Sequence, residues 1–243
     1  MTMAQVGSDP GTARWSRRRG LFLVLVMLAC SVVMTNTILP ATAYPFWNGV
    51  VAVLAVVVAR RCGLSWRTLG IGSDLDRRGL LVGAAAVAVV LLAFAIALVV
   101  PELRQAFADE RAAEVGTGAM LWAVLVRIPV GTVLLEEVAF RGVLPALFRP
   151  EGRGWWPAAA LASACFGLWH VLPSLGLSEG NDAVGALFGG STLLTSLTAV
   201  LATFVLGLVL CGVRRLGGGL LAPVLGHLAS NSGAFLLAWL LHA

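Results

Sequence analysis

Lysine is absent from this 243-residue chain, and all seventeen of its basic side chains are arginine. Charged residues make up only 12% of the sequence, against the roughly 25% of an ordinary soluble domain, so a soluble globular protein is excluded at the outset. The four cysteines, Cys30, Cys62, Cys165 and Cys211, lie in or beside apolar segments with no paired spacing. That pattern gives neither a disulfide framework nor a zinc knuckle, and they read as small core residues. The net charge of +5 raises the question of a nucleic-acid partner. The arginines sit between apolar runs, where topology signals sit, and no nucleic acid is expected. What the chain has in abundance is apolar surface: 59% of its residues are hydrophobic and the mean hydropathy is +0.92. The expectation is an all-α, polytopic bundle with about seven transmembrane helices, and the lipid bilayer is its first partner.

A hydrocarbon core of about 30 Å takes roughly 20 helical residues. Runs approaching or exceeding that length cover 20–39, 44–59, 79–100, 120–148, 155–172, 191–213 and 218–241, the second being short and the fourth long. Arginine clusters alternate with them. Arg14, Arg17, Arg18 and Arg19 precede the first run, Arg60, Arg61, Arg67, Arg77 and Arg78 separate the second from the third, Arg149 and Arg153 follow the fourth, and Arg214 and Arg215 follow the sixth. With seven crossings these clusters share one side. The opposite loops hold Arg104 and Arg111 among several acids, and Glu179 with Asp182. The positive-inside bias makes the arginine side cytoplasmic, with the N-terminus inside and the C-terminus outside a plasma membrane of bacterial type. Arg17 to Arg19 before an apolar run resembles a cleavable signal, but the run exceeds the 7 to 15 residues of a signal core, so a retained anchor is expected. The chain divides into a basic cytoplasmic tail (1–19), an N-terminal group of three membrane helices with connectors (20–117) and a catalytic helical core (118–243).

Within this apolar background, Glu136 and Glu137 stand side by side in the fourth run. Each ionisable group near the centre of a membrane helix costs about 2.5 to 3.5 kcal/mol even on lenient insertion scales, so the pair signals function. Arg141 follows Glu137 by four residues in the favourable acid-first order, suiting Glu137 to a bracing role. Glu136, turned about 100° away, is left for chemistry. Phe166 and His170 share a face of the fifth run, and His227 and Asn231 a face of the seventh. Counted from the cytoplasmic ends, Glu136, His170 and His227 lie at depths of roughly 15 to 22 Å, which places them in one layer. A carboxylate in low dielectric can act as general base towards a water, and histidine and asparagine can hold that water or donate to an oxyanion. Between Phe166 and His170 and between His227 and Asn231 the only serine, cysteine or threonine is Ser230, which neighbours Asn231 on the wrong face. Water-mediated hydrolysis therefore fits better than a covalent nucleophile. A proton-coupled transporter would need a polar path to both faces, whereas 120–135 offers only Arg127 and Thr132; a non-catalytic scaffold would tolerate replacement of Glu136.

Glu136-Glu137-x-x-x-Arg141, Phe166-x-x-x-His170 and His227-x-x-x-Asn231, in this order on successive helices, resemble the three signature motifs of the CPBP intramembrane proteases, also called the Abi or CAAX prenyl protease family, which includes bacteriocin-immunity proteins. The resemblance covers about 120–241. It implies an intramembrane endopeptidase acting on a peptide or protein substrate, with Glu136 and His170 activating water. His227 and Asn231 would form the oxyanion site, while Glu137, Arg141 and Phe166 would give support. It also admits a divalent metal such as zinc. Glu136, His170 and His227 would supply the three protein ligands of a catalytic zinc, although no His-Glu-x-x-His pair prearranges them.

Overall fold

The computed structural model describes residues 15–72, 77–104, 107, 115–149, 154–175 and 189–242. Arg14, Asp74, Asp76, Arg111, Arg153, Glu179 and Asp182 lie outside the described residues. Among the described residues the protein is entirely helical: α1 (Arg17–Thr37), α2 (Tyr44–Arg61), the short α3 (Trp66–Leu69), α4 (Arg77–Val99), the short α5 (Pro101–Arg104), α6 (Thr117–Phe148), α7 (Trp155–Trp169), the short α8 (Val171–Ser174), α9 (Thr192–Gly217) and α10 (Leu221–His242). Local chemistry fixes several ends. The Ser16 and Ser191 hydroxyls accept the backbone N–H groups of Arg19 and Leu194, each at 3.3 Å, which caps the first turns of α1 and α9. Gly218 closes α9 in the left-handed conformation, φ 86°, that a glycine adopts without Cβ strain.

Among the described residues five helices are long and apolar enough to cross a bilayer: α1, α4, α6, α9 and α10. The other two apolar runs are also helices, but fall outside this group. At 15 residues α7 spans about 22 Å. The 18 residues of α2 include Tyr44, Pro45 and Asn48 at one end and two arginines at the other. Large apolar side chains face outwards along the spans, among them Val89, Leu92, Leu125, Leu193 and Leu201, as lipid contact requires. The protein is therefore an integral membrane helical bundle.

Several ties gather the arginine clusters at one end of the bundle. Arg17 Nη1 donates to the Arg149 carbonyl at 2.7 Å, the Trp15 N–H to the Arg61 carbonyl at 3.1 Å, and Arg214 Nη2 to the Thr68 carbonyl at 2.8 Å. The α1–α2 connection lies at the other end. α6 is the central element and packs against α1, α2, α7, α9 and α10; α4 lies outside, against α10 and α9. Buried apolar residues of α1, α2, α7 and the second half of α6 form a continuous core around Leu135, Phe140, Val143 and Phe166.

The winding of α6 departs from the α-helix that its spacing predicts. Ala123–Leu134 and Glu137–Val143 are π-helical, with Glu136 at their junction. Pro129 lies within the first stretch and has no N–H to donate, which disfavours regular α-helical bonding there. The Val124 carbonyl, which a π-type bond from residue 129 would have met, accepts from the Ser232 hydroxyl of α10 at 3.1 Å; Asn48 of α2 donates its amide to the Gly131 carbonyl at 2.6 Å, while its own carbonyl accepts from Ser31 of α1 at 2.9 Å. Gly131 is required at this crossing, because a Cβ there would collide with the Tyr44 ring.

Candidate active site

Glu137 and Arg141 are both fully buried, and Arg141 Nη1 lies 3.3 Å from Glu137 Oε1. The guanidinium also sits over the Phe166 ring, 3.9 Å from its centroid, so α7 provides a cation–π floor for the ion pair. Arg141 Nε, Nη1 and Nη2 and Glu137 Oε2 have no hydrogen-bond partner, which leaves the charge of Arg141 balanced mainly by one carboxylate and one aromatic face.

His227 of α10 completes the group. Its Nδ1 is 2.7 Å from Glu137 Oε1, and its Nε2 is 3.7 Å from Glu136 Oε2. Because a carboxylate paired with arginine can only accept, the proton of the neutral ring resides on Nδ1, and Nε2 turns an open lone pair towards Glu136. The other oxygen of Glu136 accepts from the Trp169 indole, Nε1 to Oε1 3.1 Å. Glu136 is 4% exposed and His227 3% exposed, so the pair faces a nearly dry interior.

The structure thus brings Glu136, Glu137, Arg141 and His227 together, with Phe166 beneath the arginine. His170 sits at one remove. It terminates α7, its Nδ1 donates to the Phe166 carbonyl at 2.8 Å, and its ring stands edge-on to Phe166 with centroids 4.6 Å apart. Asn231 lies one turn beyond His227, where its Oδ1 accepts from the Ser230 hydroxyl at 3.2 Å. Among the described residues it bonds to neither glutamate. Trp169, through its bond to Glu136, is a member of this cluster that the sequence reading missed. The available signal was an indole immediately before His170, which once buried needs an acceptor. The link from His227 to Glu137 was out of reach, since no spacing rule relates residues on helices 90 positions apart.

Zinc takes three protein ligands at a catalytic site. Among the described residues no group of three histidine, cysteine or acidic side chains is placed to hold a metal. His227 and Glu136 face each other as two donors, while Nδ1 of each histidine is already engaged.

Glu136, Glu137, Arg141 and His227 thus form a buried glutamate–histidine–glutamate–arginine cluster between the central helix and α10. Residues 118–233, just under half of the chain, match the family model described as Type II CAAX prenyl endopeptidase Rce1-like. No curated protein and no solved structure matches the chain.

Proposed function

We propose that the protein is an intramembrane endopeptidase in which Glu136 activates a water for attack on a peptide carbonyl. The observation that carries this reading is the facing pair of Glu136 Oε2 and His227 Nε2, 3.7 Å apart. Both atoms are acceptors once Glu137 fixes the histidine tautomer, and their separation is beyond a direct hydrogen bond. A water docked against the pair can donate one hydrogen to each, leaving its lone pair directed outwards. As the oxygen attacks the carbonyl carbon, Glu136 takes the proton, and it returns that proton to the amine nitrogen when the C–N bond breaks. The Trp169 indole holds the carboxylate in one orientation throughout. Asn231, its Oδ1 occupied by Ser230, has its amide N–H groups left as donors to the oxyanion.

His170 also presents an unprotonated Nε2, and the family resemblance assigns it to the water. Substituting the two histidines separately distinguishes the partners. In a purified-protein assay with fluorogenic peptides, with and without chelator, the proposal predicts chelator-insensitive cleavage. It also predicts a loss of kcat in His227→Gln at least as large as that in His170→Gln. Full activity in His227→Gln would remove that histidine from the mechanism, and abolition by chelator would replace this scheme with a metal-dependent one.

A further inference from the structure

The mechanism makes no use of α1 and α2, which lie outside 118–233, yet a buried chain of hydrogen bonds runs from them into α6. The Trp47 indole donates to the Ser31 hydroxyl at 3.0 Å, Ser31 donates to Asn48 Oδ1 at 2.9 Å, and Asn48 Nδ2 donates to the Gly131 carbonyl at 2.6 Å. An indole can only donate, so the Ser31 proton goes to Asn48 and the Asn48 amide is left to donate in its turn. Every bond of the chain therefore points the same way. Ser31 and Asn48 are both 0% exposed, and in so dry an interior such bonds strengthen one another.

The chain ends where the winding of α6 changes. Gly131 stands five residues before Glu136, near the close of the first π-helical stretch, Ala123–Leu134. Just beyond that stretch the Leu135 N–H bonds to the Thr132 carbonyl. In a regular α-helix it would take the Gly131 carbonyl, and this is the carbonyl that accepts from Asn48. Tyr44 of α2 holds the next residue, its hydroxyl 2.9 Å from that of Thr132, and its ring leaves no room for a side chain at Gly131. Two side chains of α2 thus grip successive residues of α6 one turn before Glu136.

That winding decides where Glu136 points. An α residue turns the chain by about 100°, and a π residue, at roughly 4.4 per turn, by about 82°. Moving the change of winding by one residue rotates everything beyond it by about 18°, which at a side-chain radius of about 5 to 6 Å is a displacement of roughly 1.7 Å. Glu136 Oε2 and His227 Nε2 are 3.7 Å apart, and a shift of that size breaks a water bridge between them. A misplacement of about 1 Å can already cost about 10²-fold in rate.

Resting on the endopeptidase reading, we propose that Asn48 is a positioning residue for Glu136: oriented by Ser31, it takes the Gly131 carbonyl, fixes where α6 leaves its first π stretch and so sets the direction of the carboxylate.

The test pairs turnover with a signal that needs none. The Trp169 indole donates to Glu136 Oε1 at 3.1 Å, so its N–H resonance in protein carrying nitrogen-15 tryptophan, assigned by its loss in Trp169→Phe, reports where the carboxylate lies. Glu136→Ala gives the position of that resonance without its acceptor. Asn48→Leu keeps the volume of the side chain and removes both polar atoms. It should lower kcat roughly 10²-fold with KM within about twofold, and move the Trp169 signal towards its position in Glu136→Ala. Ser31→Ala, which leaves the Asn48 amide in place but unoriented, should move both readouts in the same sense by less, and it carries the test if Asn48→Leu does not fold. Val24→Ala controls for stability alone, since Val24 is 0% exposed two turns from Ser31 on α1 and carries no polar atom. It should melt at a lower temperature with kcat and the Trp169 signal at their parent values. The proposal is overturned if the folded variant keeps the parent's kcat and Trp169 signal, or if Val24→Ala reproduces both changes at an equal loss of melting temperature. Wild-type protein that cleaves nothing counts against the endopeptidase reading, whereas a Trp169 signal that still follows Asn48 upholds the positioning of Glu136.

Discussion

Replacing Glu137 by glutamine removes one charge and changes almost no volume, and its effect follows from the surroundings of Arg141. That guanidinium is 0% exposed, and among the described residues its Nε and both Nη atoms lack hydrogen-bond partners and the Glu137 carboxylate is its one ion-pair partner. The Phe166 face at 3.9 Å offsets part of the cost of stranding it, but a ring quadrupole supplies about 2 kcal/mol when desolvated, less than a buried pair requires. Breaking a buried ion pair from one side costs about 3 to 5 kcal/mol, so Glu137→Gln should unfold well below the parent in detergent melts. The double variant Glu137→Gln/Arg141→Met, which strands no charge, should recover most of that loss, and the coupling between the two sites should be of the same size. Peptidase activity should not return with stability, because a glutamine no longer supplies the carboxylate that holds His227 Nδ1. A Glu137→Gln protein as stable as the parent would show that Arg141 is balanced by something other than Glu137, and a double variant regaining activity along with stability would show that His227 does not need that carboxylate.

Other expectations are smaller. Trp169→Phe keeps the aromatic packing against Phe140 but removes the donor to Glu136 Oε1. Loss of a hydrogen bond to a charged group should lower kcat roughly tenfold while KM stays within about twofold; a change confined to KM would place the indole in substrate binding. Gly131→Ala drives a methyl into the Tyr44 ring at the α2–α6 crossing, and overpacking of this kind should cost about 1 to 3 kcal/mol in thermal or denaturant unfolding. An unchanged midpoint would mean that the helices separate there at little cost.

The helical class and the site-bearing segments were legible because long apolar runs interrupted by acids and histidines permit few alternatives. Glu137 and Arg141 could be paired from a four-residue spacing, and the structure places them 3.3 Å apart. Three things were hidden. The π winding of α6 accompanies Pro129 and carbonyl bonds from Ser232 and Asn48 on other helices, which no periodicity within 117–148 reveals. Arg127 and Thr132 had been read as a path that closes, yet that winding places them on a polar cavity beside Tyr44. Trp169 was hidden in the same way, because its partner Glu136 is 33 residues distant and sequence patterns describe one helix at a time. Seven spans were counted from run length; among the described residues five helices meet the length and composition for crossing, and α2 and α7, with polar ends or short length, fall outside them.

The central claim is that the Glu136 carboxylate is the proton acceptor of a peptide hydrolysis. It is tested most directly by comparing wild-type protein with Glu136→Gln, purified in parallel and reconstituted in liposomes. Cleavage products of a peptide mixture are then quantified by mass spectrometry, with circular dichroism and melting as controls for folding. The account predicts site-specific cleavage by the wild type and a loss of roughly 10²- to 10⁴-fold or more in the variant with its helical content unchanged. Cleavage by folded Glu136→Gln at the wild-type rate would contradict it.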